Sequence, residues 1–163
     1  MDSLYEQFQE MGFDSKNLCL EPECSEWRNE AYPINAKAIG YEGNIQYCFI
    51  EGYGNMVFAA NPDSAVHQKV YPLARNFYDF MRLILACGST TPVEQIVWMD
   101  RKKFQDFVSY ELEVESKPDR EHLNKLADAF HLSPMEDPFF YVKRIQKNFD
   151  DSQIQFSPEA AGS

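Results

Sequence analysis

Positive charge is scarce in this chain: 15 lysines and arginines stand against 26 aspartates and glutamates, a formal net charge of −11. Nucleic acid and anionic membranes are held through clusters of Lys and Arg, so the shortage argues against direct binding to either. It favours a basic protein partner, whose encounter such a charge would steer. Histidine is rarer still, with three in 163 residues. His67 falls in a turn-to-strand stretch, His122 on the outer face of an amphipathic helix, and His131 at that helix's C-terminus. None has a histidine, cysteine or serine beside it in a nucleophile setting, so imidazole acid–base chemistry has no support in the sequence.

Other absences narrow the field further. No basic n-region followed by an apolar h-region opens the chain, which leads us to expect no secretory signal and a cytoplasmic location. No hydrophobic run is long enough, free of charge, to cross a bilayer, so no membrane role is expected. Cys19 and Cys24 are too far apart for a CxxC pair and lack matching histidines, while Cys48 and Cys87 sit in apolar runs and read as buried thiols. We therefore expect a reducing compartment, no metal and no cofactor. Glycine numbers only seven, and Gly52-Tyr53-Gly54-Asn55 has neither the Walker nor the Rossmann spacing, so it reads as a hairpin turn.

The most strongly patterned stretch that is present runs from Asn76 to Gly88. Phe77, Phe80, Met81 and Ile84 follow an i, i+3, i+4, i+7 pattern, and Leu83, Leu85, Ala86 and Cys87 widen the stripe until only Arg75, Asp79 and Arg82 form a wet edge. Asn76 reads as the N-cap and Gly88 as the left-handed stop. A helix this apolar must be covered on most sides, and the domain is expected to be built onto it.

Around it, a short amphipathic helix is expected over 2–11, with Leu4, Phe8 and Met11 on one face. A loop-rich stretch over 13–39 holds Trp27 as its one large apolar anchor. Ile45–Glu51 and Met56–Ala60 read as a hairpin, and Val66–Tyr71 as a third strand with Pro72 at its end. Thr91-Pro92 resembles an N-cap and N1 pair, while Val93–Met99 fits either a helix or a strand. Helices capped by Asp100 (Phe104, Phe107, Val108 and Leu112 inward), over 119–131 (Leu123, Leu126, Ala127, Phe130) and from Asp137 (Tyr141, Val142, Ile145, Phe149) complete a helical C-terminal region. The expected fold class is α+β, a small mixed or antiparallel sheet flanked by helices. We expect one domain over 1–149 and a polar tail over 150–163.

Candidate functional residues come from exposure and chemistry. Glu51 and Asp63 flank the hairpin and could converge, although carboxylates there more often form turns and caps. Tyr53 at the turn tip reads either as an interface anchor or as a ring folded back on the sheet, and Trp27 is a second candidate anchor. Glu111 and Glu113 lie at an acidic helix end, where alternate spacing spreads them around the helix instead of aiming them at one point. No catalytic set emerges from these, and partner binding through Trp27, Glu51, Tyr53, Asp63, Glu111 and Glu113 is the expectation.

One longer pattern has a family likeness. The strand pair YCFIEGYGNMVFA, the turn NPDS, then VYPLA leading into NFYDFMRLILACG resembles the C-terminal half of SUKH-superfamily proteins, relatives of the Smi/Knr cell-wall regulators. Phe77, Phe80, Met81, Ile84 and Leu85 match that family's F-x-x-F-L-x-x-L-L helix, and the likeness covers Ile45 to Gly88. It implies a divergent member with an α+β fold and no shared catalytic constellation. Many bacterial members are immunity proteins that bind and neutralise toxins, often nucleases. The resemblance therefore implies a non-catalytic protein that docks a basic toxin. The competing expectations are a regulatory domain or nucleic-acid mimic of a mobile element, and a hydrolase in which two or more of Glu51, Asp63, His67 and Cys48 share one open pocket.

Overall fold

The computed structural model describes residues 3–11, 32–114 and 117–156. Among them the fold is α+β, as expected. Strands β1 (Ala36–Glu42), β2 (Ile45–Ile50), β3 (Val57–Ala60) and β4 (Val70–Ala74) form an antiparallel meander whose spatial order is the chain order. Helices α1 (Ser3–Met11), α2 (Phe77–Cys87), α3 (Thr90–Gln95), α4 (Arg101–Val114), α5 (Lys117–Phe130) and α6 (Pro138–Gln146) surround it, with a short 3-10 turn over Ile96–Trp98. Val93–Met99 is thus helical, not a strand.

Strands β2, β3 and β4 are buried on both faces, because they carry apolar side chains at successive positions, whereas β1 is largely half-buried. Tyr47, Phe49, Val57, Ala59, Tyr71 and Leu73 join the helical layer. Cys48, Ile50, Phe58, Ala60 and Val70 join a smaller cluster with Tyr32 on the other side. In the main core α2 buries Phe77, Phe80, Met81, Leu83, Ile84, Leu85 and Cys87. Removing each large side chain from water contributes about 1.5–3 kcal/mol, which makes α2 the largest single apolar element of the core. The Asn76 side chain accepts from the Asp79 N–H at 2.7 Å, and Gly88 takes φ 90 with its N–H on the Ile84 carbonyl. Burial pushes the thiols of Cys48 and Cys87 up to about 12, so both are inert apolar fillers.

Several expectations need correction. β1 was expected to be loop. Its pairing with β2 slips between Ala38 and Gly40, which breaks the alternation that marks a strand in sequence. β4 begins at Val70 and holds Pro72 within it. The proline is tolerated because β4 is an edge strand, covered by α6, whose Gln146 side chain donates to the Pro72 carbonyl at 3.1 Å. In α1 the buried residues are Tyr5 and Phe8, with Tyr5 edge-on to Phe49 and Phe77, while Met11 is exposed. The α3 cap is Ser89 instead of Thr91, its hydroxyl accepting from the Thr91 N–H at 3.3 Å. Leu112 does not face inward: in α4 only Phe104 is buried, and the last turn and a half leaves the core.

The segment expected to begin a polar tail at Asp150 is pinned beside the sheet as far as Gln155. Its carbonyls and N–H groups meet Ile34, Asn35 and Tyr53, and Phe149 and Ile154 pack on the smaller cluster. Phe149 lies beyond the end of α6, not on it. An extended strap has no helical or strand period, so its two apolar anchors leave no regular trace in the sequence. Gly52, at φ 101, lies under this strap, where an added Cβ would come 3.1 Å from Gln153.

Candidate functional site

The residues singled out from sequence do not form one site. Trp27 lies outside the described residues. Glu51 is exposed at the β2–β3 turn and lines a groove of about 610 Å³ with Ile34, Asn35, Lys37 and Phe49. Asp63 follows β3 at the opposite end of the sheet, beside the Gln46–Ala60 pair, so the length of the hairpin separates it from Glu51. Its backbone N–H closes an Asx turn on the Asn61 side chain at 2.9 Å. His67 is exposed in that same loop, and Cys48 is wholly buried. The groove at Glu51 takes in none of the other three, Asp63 and His67 share only an exposed loop, and Cys48 is shut off from both.

Tyr53 is not a free anchor at a turn tip. Its ring folds back at 5.2 Å from Phe58 and 5.3 Å from Phe149. Its hydroxyl donates to the Asp150 carbonyl at 2.8 Å and accepts from the Gln153 N–H at 2.9 Å. Asn35 completes this clasp, donating to the Gln153 carbonyl at 3.0 Å and accepting from the Gln155 N–H at 3.0 Å. Tyr53 holds the strap, and its aromatic surface is spent within the fold.

A polar network that sequence reasoning missed lies where α3 meets the sheet. Glu42 Oε1 accepts from Tyr47 at 2.7 Å and from the Thr90 hydroxyl at 3.1 Å, and Oε2 accepts from Thr91. Glu94, 1% exposed, accepts from the Asn61 amide at 2.8 Å, from Tyr71 and from Gln95. Burial and the adjoining carboxylates push the phenols of Tyr47 and Tyr71 well up. Every carboxylate oxygen here is held by chain donors. The arrangement clamps the start of α3 onto the sheet end and leaves no carboxylate open to a substrate. Glu42 and the two threonines are almost fifty positions apart, and no local motif signals their meeting.

Glu111 and Glu113 have a different setting. The outer stripe of α4 carries Asp106, Tyr110, Glu113 and Val114 at i, i+4, i+7 and i+8. Tyr110 is 61% exposed and Val114 57%; Leu112, also exposed, and the half-buried Glu111 lie off this stripe on other sides of the helix. Among the described residues none of Asp106, Glu111 and Glu113 enters an ion pair; the two pairs present are Arg82–Asp79 and Arg101–Asp137. One face of α4 thus carries an aromatic, an aliphatic and two carboxylates that enter no ion pair among the described residues. The signal available in sequence was the acidic run itself; the exposure of Tyr110 could not be read from it.

No family model, no curated protein and no solved structure matches this chain. No helix among the described residues is long and apolar enough to cross a membrane.

Proposed function

We propose that this protein is a non-catalytic binding protein that neutralises a basic toxin, of nuclease type, by direct contact through the end of α4. The observation that carries the reading is the exposed stripe of Asp106, Tyr110, Glu113 and Val114. A large aromatic at the centre of a patch supplies contact area at small conformational cost, and carboxylates around it select a cationic partner. The net charge of −11 supports the same partner, since it accelerates encounter with a basic protein. The likeness of Ile45–Gly88 to SUKH immunity proteins supports the neutralising role, and a cytoplasmic location follows from that role. Nucleic-acid mimicry needs unbroken rows of carboxylates; here Tyr110 and Val114 interrupt them, which favours a protein surface.

The test is co-expression with the product of the adjacent upstream gene, since immunity genes follow the genes of their toxins. Growth should be rescued by the unaltered protein and lost with Tyr110→Ala combined with Glu113→Lys. Failure to rescue growth against any neighbouring gene product would remove the neutralising role. Rescue undiminished by the double substitution would remove α4 as the contact face.

A further inference from the structure

Away from the α4 stripe, the chain gathers cations around a cleft between β4 and α6. The cleft measures about 330 Å³ and is walled by Val70, Tyr71, Pro72, Val97 and Phe149. Lys143 on α6 and Lys147 at its C-cap line it four positions apart, together with Gln146, Gln68 and Asp151. In a protein of net charge −11, two lysines against one aspartate around a partly apolar hollow give it a local excess of positive charge.

Lys143 is the informative member. It is half-buried, its ammonium lies 5.5 Å from the centre of the Phe139 ring, and it donates to the Val97 carbonyl at 3.2 Å. Burial lowers its pKa, as expected for a cation drawn from water without a countercharge. An ammonium has three donors, and among the described residues its acceptor is the Val97 carbonyl. Neither Lys143 nor Lys147 enters an ion pair among the described residues, and Asp151, on the rim, is likewise unpaired. A solvated surface lysine would extend into water, whereas this one lies folded into a hollow with hydrogen-bonding capacity to spare.

We propose that the cleft binds a small organic phosphomonoester, its dianionic head between Lys143 and Lys147 and its apolar body on Val70, Pro72 and Val97. Two ammonium groups suit a doubly charged head better than a single carboxylate, and lysine serves phosphate as a point charge. The volume lies at the lower end of small-ligand pockets, which sets the size of the body to about one ring. The site is independent of the α4 face and of any toxin.

The experiment is an NMR titration of the isotopically labelled full chain with phenyl phosphate, inorganic phosphate and benzyl alcohol. Phenyl phosphate should give saturable shifts at the amides of Val70, Val97, Lys143 and Lys147. Inorganic phosphate and benzyl alcohol should each bind about tenfold or more weakly, since each lacks one half of the ligand. Lys143→Gln and Lys147→Gln should each weaken phenyl phosphate by about tenfold. Lys147 is exposed, so Lys147→Gln keeps the native fold and tests the site even if Lys143→Gln disturbs α6. The proposal is overturned if phenyl phosphate causes no saturable shift, or if its affinity survives both substitutions. It is equally overturned if only a phosphopeptide, and not phenyl phosphate, shifts these amides.

Discussion

Helices α2 and α4 are of similar length and opposite character. α2 has 11 residues and buries seven of them; α4 has 14 and buries Phe104 alone. Both carry aromatic and branched apolar side chains, but those of α2, Tyr78 apart, fill the space against the sheet, while in the last two turns of α4 Tyr110, Leu112 and Val114 stand in solvent. A packed helix has its residues chosen by volume, so its apolar content needs no partner to explain it. An exposed helix end that keeps an aromatic and two aliphatics among unpaired carboxylates is not explained by packing. That difference separates the part of the molecule that makes the fold from the part proposed to use it.

The comparison can be broken most sharply by truncating one ring on each helix. Phe80→Ala should lower unfolding free energy by about 3–5 kcal/mol in denaturant titration, through lost burial and a cavity. Tyr110→Ala should stay within about 0.5 kcal/mol of the parent. Equal losses would mean that α4 is a core helix after all.

Alkaline pH probes the same contrast without mutation. Cys87 in α2 and Cys48 in β2 are raised from 9.0 to about 12, and Tyr47 and Tyr71 are raised too. The unfolded chain then loses these protons at lower pH than the folded one. Stability from these groups is therefore complete below about pH 9 and falls as pH rises toward 12. Thermal melts from pH 7 to 11 should show that decline, together with thiols that react with a disulfide reagent only after unfolding. Fast modification of either cysteine in the native state would contradict their burial.

Smaller effects follow at the helix starts. Asn76→Ala removes the α2 cap and should cost about 1 kcal/mol. Arg101→Ala removes the pair with Asp137 and the stacking on Phe139 at the start of α4, yet both partners of that pair are 48% exposed, so the loss should be below about 1 kcal/mol. A larger loss at Arg101 than at Asn76 would reverse the ranking of the two helices.

What could be read from the sequence follows the same division. α2 was legible in full, from Asn76 to Gly88, because cap, period and stop are local. The β2–β3 hairpin was legible through its glycine turn. β1 was not, since Ala36–Glu42 has a single β-branched residue and a register slip at its centre. The strap was not, because Asn35 meets Gln153 and Gln155 from 118 and 120 positions away. For the same reason Tyr53, correctly placed on the turn, was left open between an interface anchor and a ring folded back on the sheet: the residues that decide it come from the far end of the chain. Of the candidate contact residues, Glu111 and Glu113 were visible as charge, but Tyr110 was not singled out, since an aromatic in a helix ordinarily packs inward.

The most direct test pairs two readouts on one variant. The chain with Tyr110→Ala and Glu113→Lys would be titrated calorimetrically against the basic protein encoded by the adjacent gene, and melted beside the parent. The account expects an unchanged melting temperature and affinity reduced by about 30-fold or more, the loss of one central anchor. Unchanged affinity at an unchanged melting temperature would contradict it, and would place the contact elsewhere on the molecule.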